Sequence, residues 1–181
     1  METKFDLILL FSGGYDSSLL LKIALAMKLR PLCLIIDYHQ IHDEELKYAE
    51  KFCLANQVHI QKMYIDLPAS SNLLEDKKTY EGVNIHHVPS RNLIFVSMAA
   101  SIAESRDIPL IWYGANYEDR EKIFPDCYQE WVFKLNELLT INGSSKIKVE
   151  APLLGMSKDM IKDLAKIFNI NPEEIYSGYG E

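Results

Sequence analysis

Residues 7–18 read LILLFSGGYDSS, and this stretch decides the fold. The apolar run at its start predicts a buried strand, and the apolar spacing that follows, from Leu19 to Met27, predicts a helix. Gly13 and Gly14, in the turn between them, lack a Cβ, so their backbone N–H groups can approach an anion closely. The helix N-terminus adds the positive end of its dipole. The stretch therefore predicts a strand–loop–helix cradle for a phosphate group.

The residues of this cradle are the candidate nucleotide contacts: Ser12, Gly13, Gly14, Tyr15, Asp16, Ser17 and Ser18. The serine hydroxyls add hydrogen-bond donors for phosphate oxygens. Asp16 can orient a metal ion or the loop itself, or it can be a carboxylate that only favours the start of the helix. The glycine spacing matches neither the Walker pattern GxxxxGK(S/T) nor the GxGxxG of dinucleotide sites, so we expect a different type of phosphate loop.

Composition indicates an ordinary globular protein. The chain has 181 residues, of which 48% are hydrophobic and 25% charged, as expected for one domain. Acidic residues outnumber basic ones by 26 to 19, which argues against duplex DNA or RNA as the main partner. No apolar run approaches membrane-spanning length, and we expect no targeting peptide. The three cysteines are widely spaced and include no CxxC pair, which favours reduced thiols and a cytoplasmic location.

Strands and helices are predicted to alternate along the whole chain. The predicted strands cover residues 5–11, 32–37, 59–67, 110–114 and 146–150. The predicted helices cover residues 15–29 (stopped by Pro31), 42–56 and 92–106, with one more around 131–139 and one capped by Ser157. In the second helix we expect the charged side chains to face solvent, namely Glu44, Glu45, Lys47, Glu50 and Lys51. Apolar strands separated by helices predict an α/β fold, a doubly wound, three-layer parallel sheet in a single domain over residues 1–181.

Ligands of such sheets bind beyond the carboxyl ends of the strands, and the polar motifs fall there. Ser12 follows the first predicted strand, Asp37 and Tyr38 follow the second, and residues 114–116 follow the fourth. The polar stretch 68–90 has no clear periodicity and is long for a connection inside one domain. We expect it to form a flap over the substrate.

Beyond the phosphate loop, the chain resembles the 7-cyano-7-deazaguanine synthase (QueC) family of the N-type ATP pyrophosphatases, or PP-loop proteins. Blocks in the family's order carry the resemblance and span nearly the whole chain. They are SGGYDS at 12–17, YHQIHDEEL at 38–46, VPSRN at 88–92, GAN at 114–116 with Asp119, FPDCY at 124–128, APL at 151–153 and MSK at 156–158. The resemblance implies an adenine nucleotide alpha hydrolase-like (HUP) fold that uses ATP and Mg²⁺.

The chain departs from the family pattern within the motifs and also near the C-terminus. His39 and Ile41 replace the glycine and arginine of Tyr-Gly-Gln-Arg-His, and Tyr128 stands where an arginine is usual. Near the C-terminus, Gly178 stands where the family has the first cysteine of a four-cysteine zinc site. These residues cannot form that site. The resemblance therefore implies a zinc-free variant with a short C-terminus.

The resemblance also implies a reaction. A 7-carboxy-7-deazaguanine carboxylate attacks the α-phosphorus of ATP and gives an acyl adenylate and pyrophosphate. Ammonia then displaces AMP to form an amide, and a second ATP activates the amide oxygen so that loss of AMP leaves the nitrile. The protein contributes mainly positioning and charge stabilisation. The catalytic candidates implied are Asp16, Lys158 and Arg91, with Lys158 also holding phosphate.

The candidate substrate contacts are Arg91, Asn92, Asn116, Asp119 and Asp126. The planar guanidinium of Arg91 suits a carboxylate or phosphate, and a carboxylate at Asp119 or Asp126 can accept from the amine and ring N–H of a guanine-like edge. Structural roles remain possible for the same residues. Arg91 can be an ordinary surface arginine, Asn92 a helix cap, and the two aspartates turn-forming residues. Lys158, in the first turn of a helix, is favoured as a phosphate ligand over a solvated lysine, because the dipole disfavours a cation there.

Three functions stay open at this point. The first is nitrile formation on 7-carboxy-7-deazaguanine. The second is activation of the same or a similar carboxylate that stops at the amide or transfers the acyl group to a macromolecular amine. The third is nucleotide binding without catalysis, against which the intact loop and Lys158 argue. We predict the first, an ATP-dependent ligase with this acid and ammonia as partners, without membrane or direct nucleic-acid binding, and as a homodimer.

Overall fold

The computed structural model describes residues 4–39, 43–67, 88, 90–118 and 124–176. The apolar segments form one five-stranded parallel sheet in the order β3-β2-β1-β4-β5. Its strands are β1 Leu7–Leu10, β2 Pro31–Asp37, β3 His59–Tyr64, β4 Leu110–Trp112 and β5 Lys148–Glu150. The predicted α/β class, a doubly wound parallel sheet, is confirmed.

Helices cover both faces of the sheet and complete the three layers. They are α1 Tyr15–Ala26, α2 Asp43–Ala55, α3 Arg91–Ser105, α4 Gln129–Ile141 and α5 Lys158–Ile167, with short 3-10 helices at Pro125–Cys127 and Pro172–Glu174. Leu7 and Leu9 of β1 pack with α1, α2 and α5, whereas Ile8 packs with α3 and α4. Successive side chains of a strand point to opposite faces, which divides the core into these two clusters.

The five helices of the described ranges share one type of C-terminal closure. Each is followed by a residue with positive φ, namely Lys28, Gln57, Asp107, Gly143 and Asn169. The N–H of the next residue then donates to the carbonyl five positions earlier over 2.9 to 3.1 Å, as in a Schellman motif. Glycine adopts this left-handed backbone without strain, yet four of these helices end on other residue types.

Several element ends and one side chain differ from the sequence prediction; β1 and β3, for example, are shorter than the predicted 5–11 and 59–67. α1 ends at Ala26 and not at Leu29, because the chain turns through Lys28 and the Leu29 N–H closes the helix on Ala24 O. Pro31 is therefore the first residue of β2 and does not stop the helix. The expectation that Glu45 of α2 faces solvent is wrong, since this side chain is only 6% exposed.

Several predicted features fall outside the described residues. They include His42 at the expected start of the second helix and the expected flap at 68–90, of which the structure describes Val88 and Ser90 alone. The extent of the single domain over residues 1–181 stays a prediction. None of the described helices combines the length and apolarity needed to cross a bilayer.

The outer edge of the sheet at β5 is closed by one side chain of α4. Asn136 Oδ1 accepts from the Val149 N–H over 2.9 Å, and Asn136 Nδ2 donates to Val149 O over 2.9 Å. The neighbouring residues of β5 direct their backbone groups towards β4: the Lys148 N–H donates to Pro109 O, and Glu150 O accepts from the Tyr113 N–H. A side-chain amide thus takes the place of a further strand beside β5 and ties α4 to the sheet.

We predict that Asn136→Ala lowers the free energy of unfolding by about 1 to 3 kcal/mol, because it leaves a half-buried backbone donor and acceptor without partners. Urea unfolding followed by circular dichroism measures the change. Thr140→Ala, one turn further along the same helix at an exposed position, is the matched control and changes stability by less than about 0.5 kcal/mol. Equal effects of the two substitutions would contradict the proposed role of Asn136.

Candidate active site

The predicted phosphate loop lies between β1 and α1, at the carboxyl edge of the sheet. Gly13 has φ +86°, which L side chains rarely adopt, and a Cβ there would lie 2.8 Å from the backbone nitrogen of Ala49. Gly14 has φ −80° and is the N-cap of α1. The first glycine is thus required by backbone conformation and by its close approach to α2, whereas the second has space around it.

Ser17 holds the loop together from inside. Its Oγ accepts from the Gly13 N–H over 3.1 Å and donates to the Gly14 carbonyl over 3.2 Å. Ser12 Oγ lies 3.3 Å from Ser17 Oγ and 3.5 Å from the Gly14 nitrogen. Ser18 is fully buried, and its hydroxyl has no hydrogen-bond partner among the described residues. Of the three serines, Ser12 is the exposed one, and Ser17 and Ser18 are buried.

Asp16 is joined to the loop that follows β4. Asn116 Nδ2 donates to Asp16 Oδ2 over 2.9 Å, and Asn116 is only 1% exposed. A Cβ at Gly114 would lie 3.0 Å from the Asp16 Cβ, so this loop passes close over the start of α1. Two predicted site residues that are distant in sequence are thus brought together, because adjacent parallel strands end at the same edge.

The start of α5 is fixed to the same loop. Ser157 caps the helix by accepting from the Met160 N–H over 3.2 Å. Glu118 Oε1 accepts from the Lys158 N–H over 2.8 Å, and Tyr117 N–H donates to Met156 O over 2.9 Å. Lys158 therefore projects from a helix start that two separate contacts hold against the region after β4.

Arg91 packs on Tyr38, the residue that follows β2. Its Nη1 donates to the Tyr38 hydroxyl over 3.2 Å, and its guanidinium carbon lies 5.8 Å from the centre of the Tyr38 ring. This is the range of a cation–π contact. Burial raises the pKa of Tyr38, Arg91 opposes that rise and Glu45 adds to it. The Tyr38 hydroxyl is therefore a neutral group that holds the Arg91 fork in place.

Asn92 and Asp126 form a second pair at this edge. Asn92 Nδ2 donates to Asp126 Oδ2, and the Tyr113 hydroxyl donates to the Asp126 carbonyl over 2.6 Å. Burial raises the pKa of Tyr113, and the charge of Asp126 raises it further. Asp119 lies outside the described residues, whereas Asp126 is held from two sides.

A family model described as queuosine biosynthesis protein QueC matches residues 6–181. The chain belongs to this family. The 7-cyano-7-deazaguanine synthase of Prochlorococcus marinus strain MIT 9515 is 34% identical over 99% of this chain and 86% of that relative. The protein of the same name from Pseudoalteromonas atlantica is 32% identical over 83% of this chain and 73% of that relative.

A solved structure supports the fold independently. The U34-tRNA thiolase NcsA from Methanococcus maripaludis superposes with a TM-score of 0.60 at 15% identity, over 97% of this chain and 60% of that one. At this identity the likeness concerns the fold alone. The chain spans about 60% of the length of that thiolase.

The structure gives a physical reason for the glycine of the QueC pattern at position 39, where this chain has histidine. His39 has φ +59°, in the left-handed region, at the position where the pattern has glycine. Glycine adopts this conformation without strain, and histidine does not. Here the His39 N–H donates to Asp37 Oδ1 over 2.9 Å, and its ring Nε2 lies 3.0 Å from Asp66 Oδ1. These contacts offset part of the strain and place an imidazole beside the end of β2.

The cysteines of this QueC-family chain lie in the core. Cys33, Cys53 and Cys127 are all buried, and none of them forms a disulfide. The pKa of Cys33 is raised, first by its hydrogen bond with Cys53 and then by burial. Among the described residues, no group of three or more histidine, cysteine, aspartate or glutamate side chains is placed to hold a metal. Gly178, on which the zinc-free prediction rests, lies outside the described ranges, and that prediction stays untested.

Sequence reasoning missed Glu45, Tyr176 and Glu118. Glu45 is a buried carboxylate close enough to Tyr38 and Tyr176 to raise the pKa of both hydroxyls. The Tyr176 N–H donates to Gly13 O over 3.0 Å. Glu45 lies within the block that carries the family resemblance, so its type and place were visible in the sequence. Nothing in the sequence pattern distinguishes Tyr176 or Glu118.

We predict that alanine lowers the stability of the protein strongly at Gly13 and little at Gly14. Gly13→Ala lowers the free energy of unfolding by about 2 to 4 kcal/mol, because its Cβ meets the Ala49 backbone and its φ is positive. Gly14→Ala is the matched control and changes stability by less than about 1 kcal/mol, since the nearest atom would be 3.7 Å away. Thermal and urea unfolding of both variants measure the difference, and a Gly13→Ala variant as stable as wild type would contradict this loop geometry.

Proposed function

We propose that this protein converts 7-carboxy-7-deazaguanine and ammonia to 7-cyano-7-deazaguanine, with ATP cleaved to AMP and pyrophosphate. The observation that carries the proposal is the intact phosphate loop, seated on α2, in a chain of the QueC family. Two relatives that cover most of this chain bear the name of that synthase. The reaction is expected to pass through an acyl adenylate and an amide, each formed at the carboxyl edge of the sheet.

The loop is suited to the pyrophosphate portion of ATP. The Gly14 N–H, the Ser12 hydroxyl and the N-terminus of α1 offer donors on the open side, and Lys158 supplies a positive charge from α5. Mg²⁺ would be bound chiefly by phosphate oxygens, with Asp16 the carboxylate next to the loop, and would neutralise part of the triphosphate charge. Asn116 fixes Asp16 through the 2.9 Å hydrogen bond, which keeps this carboxylate in one position.

Arg91, Asn92 and Asp126 are proposed to bind the acid. The guanidinium of Arg91, held by Tyr38, can pair with the substrate carboxylate and turn it towards the α-phosphorus. The second oxygen of Asp126 can accept from the amine and ring N–H of the deazaguanine edge, while Asn92 holds the first. Asn116 is buried and bound to Asp16, so we assign it to the site's support and not to direct contact.

The remaining expectations concern the surroundings of the reaction. We infer that ammonia, a cytoplasmic location and a homodimer accompany this activity, as the family resemblance implies. The balance of charge, with 26 acidic and 19 basic residues, gives no support to a nucleic-acid partner.

The test uses 7-carboxy-7-deazaguanine labelled with ¹⁸O in the carboxylate, incubated with the purified protein, Mg²⁺-ATP and ammonium. Adenylation moves one carboxylate oxygen into AMP, and nitrile formation moves the other into a second AMP. Mass spectrometry should therefore find nitrile and two labelled AMP molecules per acid consumed. Amide with one labelled AMP, or a lasting adenylate, would support the alternative ligase, and no consumption of ATP would support the binding protein.

We predict that Lys158→Gln lowers the rate of labelled AMP formation about 100-fold, because a positive charge beside the developing pyrophosphate is lost. Lys162→Gln, at an exposed position of the same helix, is the matched control and keeps the wild-type rate within about twofold. A similar loss of rate in both variants would show that the rate depends on the total charge of the protein and not on the position of Lys158.

A further inference from the structure

The peptide unit between Gly13 and Gly14 is free to turn unless a neighbour holds it. A flip of this unit changes ψ of Gly13 and φ of Gly14, and glycine tolerates the resulting angles on either side of zero. The flanking groups, Gly13 N–H and Gly14 O, are both bound by Ser17. Those two hydrogen bonds fix the neighbouring peptide units and leave the central one to other contacts.

The contact that holds the central unit comes from the C-terminal end of the described chain. Tyr176 N–H donates to Gly13 O over 3.0 Å, within normal hydrogen-bond range. On the other side of the same unit, Gly14 N–H reaches Ser12 Oγ only at 3.5 Å. The Tyr176 contact is therefore the stronger of the two.

Because of the geometry of the peptide bond, the Tyr176 contact also sets the direction of the Gly14 N–H. The unit is trans, so its C=O and N–H point in opposite directions. When the Gly13 carbonyl points at Tyr176, the Gly14 N–H points the opposite way, towards the exposed Ser12. A flipped unit would instead present a carbonyl oxygen there, which repels a phosphate.

The segment that carries Tyr176 is packed against the core, so its backbone can hold the Gly13–Gly14 peptide in one orientation. Ile175 is only 3% exposed and packs in the core cluster of α1, α2 and α5. The Tyr176 ring lies 6.1 Å from the Tyr48 ring of α2, the helix that also supplies Ala49 under Gly13. Asn171 caps the preceding 3-10 helix by accepting from the Glu173 N–H over 3.1 Å.

We propose that the backbone N–H of Tyr176 positions the Gly13–Gly14 peptide so that the Gly14 N–H faces the phosphates of ATP. The C-terminal segment is then a part of the nucleotide site that acts through the loop and does not touch the ligand. This inference deepens the proposed function and rests on its ATP site.

The test compares two substitutions at Tyr176. Tyr176→Pro removes both the N–H and the ring, and Tyr176→Ala removes the ring alone. Ile175 has φ −123° and ψ 154°, the conformation that a residue before proline prefers, so proline fits on that side. Titration calorimetry with Mg²⁺-pyrophosphate and with Mg²⁺-ATP should give dissociation constants about tenfold higher for the proline variant than for the alanine variant.

The outcomes separate this inference from the proposed function. Equal affinity of the two variants, whatever their thermal stability, would overturn the role of Tyr176 alone. Wild-type binding of Mg²⁺-pyrophosphate without turnover of the acid would overturn the proposed reaction alone. Failure of the wild type to bind pyrophosphate would overturn both, since the loop would not be an anion site.

A second measurement needs no variant and applies if Tyr176→Pro does not fold. Because coupling is reciprocal, pyrophosphate on the loop must strengthen the Tyr176 contact. In the wild-type protein, the Tyr176 amide should exchange its hydrogen more slowly with Mg²⁺-pyrophosphate than without it. The expected slowing equals the factor by which the Tyr176 contact increases the affinity for pyrophosphate. An unchanged rate at Tyr176 beside slowed exchange at Gly14 would overturn the proposal.

Discussion

The site depends on the contact between Gly13 and the backbone of α2. At this point the two segments approach so closely that a Cβ would lie within 3.0 Å of three atoms of Ala49. The phosphate loop cannot move towards α2, and α2 cannot move towards the sheet without displacing the loop. The start of α1, which is continuous with the loop, is fixed by the same contact. This steric limit sets the position of the candidate phosphate site.

Acidic side chains at the carboxyl edge act as acceptors that join separate parts of the chain. Asp16 accepts from Asn116, Asp126 from Asn92, and Glu118 from the Lys158 N–H. Asp16 and Asp126 each accept from a neutral side-chain amide. Each of these hydrogen bonds joins segments that lie at least 34 positions apart in the sequence.

The fold was predictable because its main determinants are local. Continuous apolar runs and the glycine spacing of residues 12–17 are readable along the chain, and they predicted the sheet and the phosphate loop. The end of α1 was not predictable in the same way. It depends on a left-handed backbone at Lys28, a residue type that gives no indication of it. The carboxyl-edge pairs needed the folded sheet, since Asn116 and Asp16 are 100 positions apart.

Glu45 and Tyr176 illustrate a different limit. Within α2, Glu45 looks like its exposed neighbour Glu44, and only the packing around it shows that it is buried. The part of Tyr176 that matters is its backbone N–H, which almost every residue type possesses. Sequence reasoning identifies side chains with distinctive chemistry. It has no means to identify a residue whose contribution comes from where its main chain lies.

The amide of Asn136 on Val149 has a consequence for how copies of this chain can assemble. It occupies the outward N–H and C=O of the short strand at that end of the sheet. An incoming strand from another molecule would find no main-chain partners there and would first have to displace a side chain bonded at both ends. Growth of a continuous sheet from chain to chain is blocked at this end. Self-association at this end of the molecule would have to use helix surfaces instead of the edge of β5.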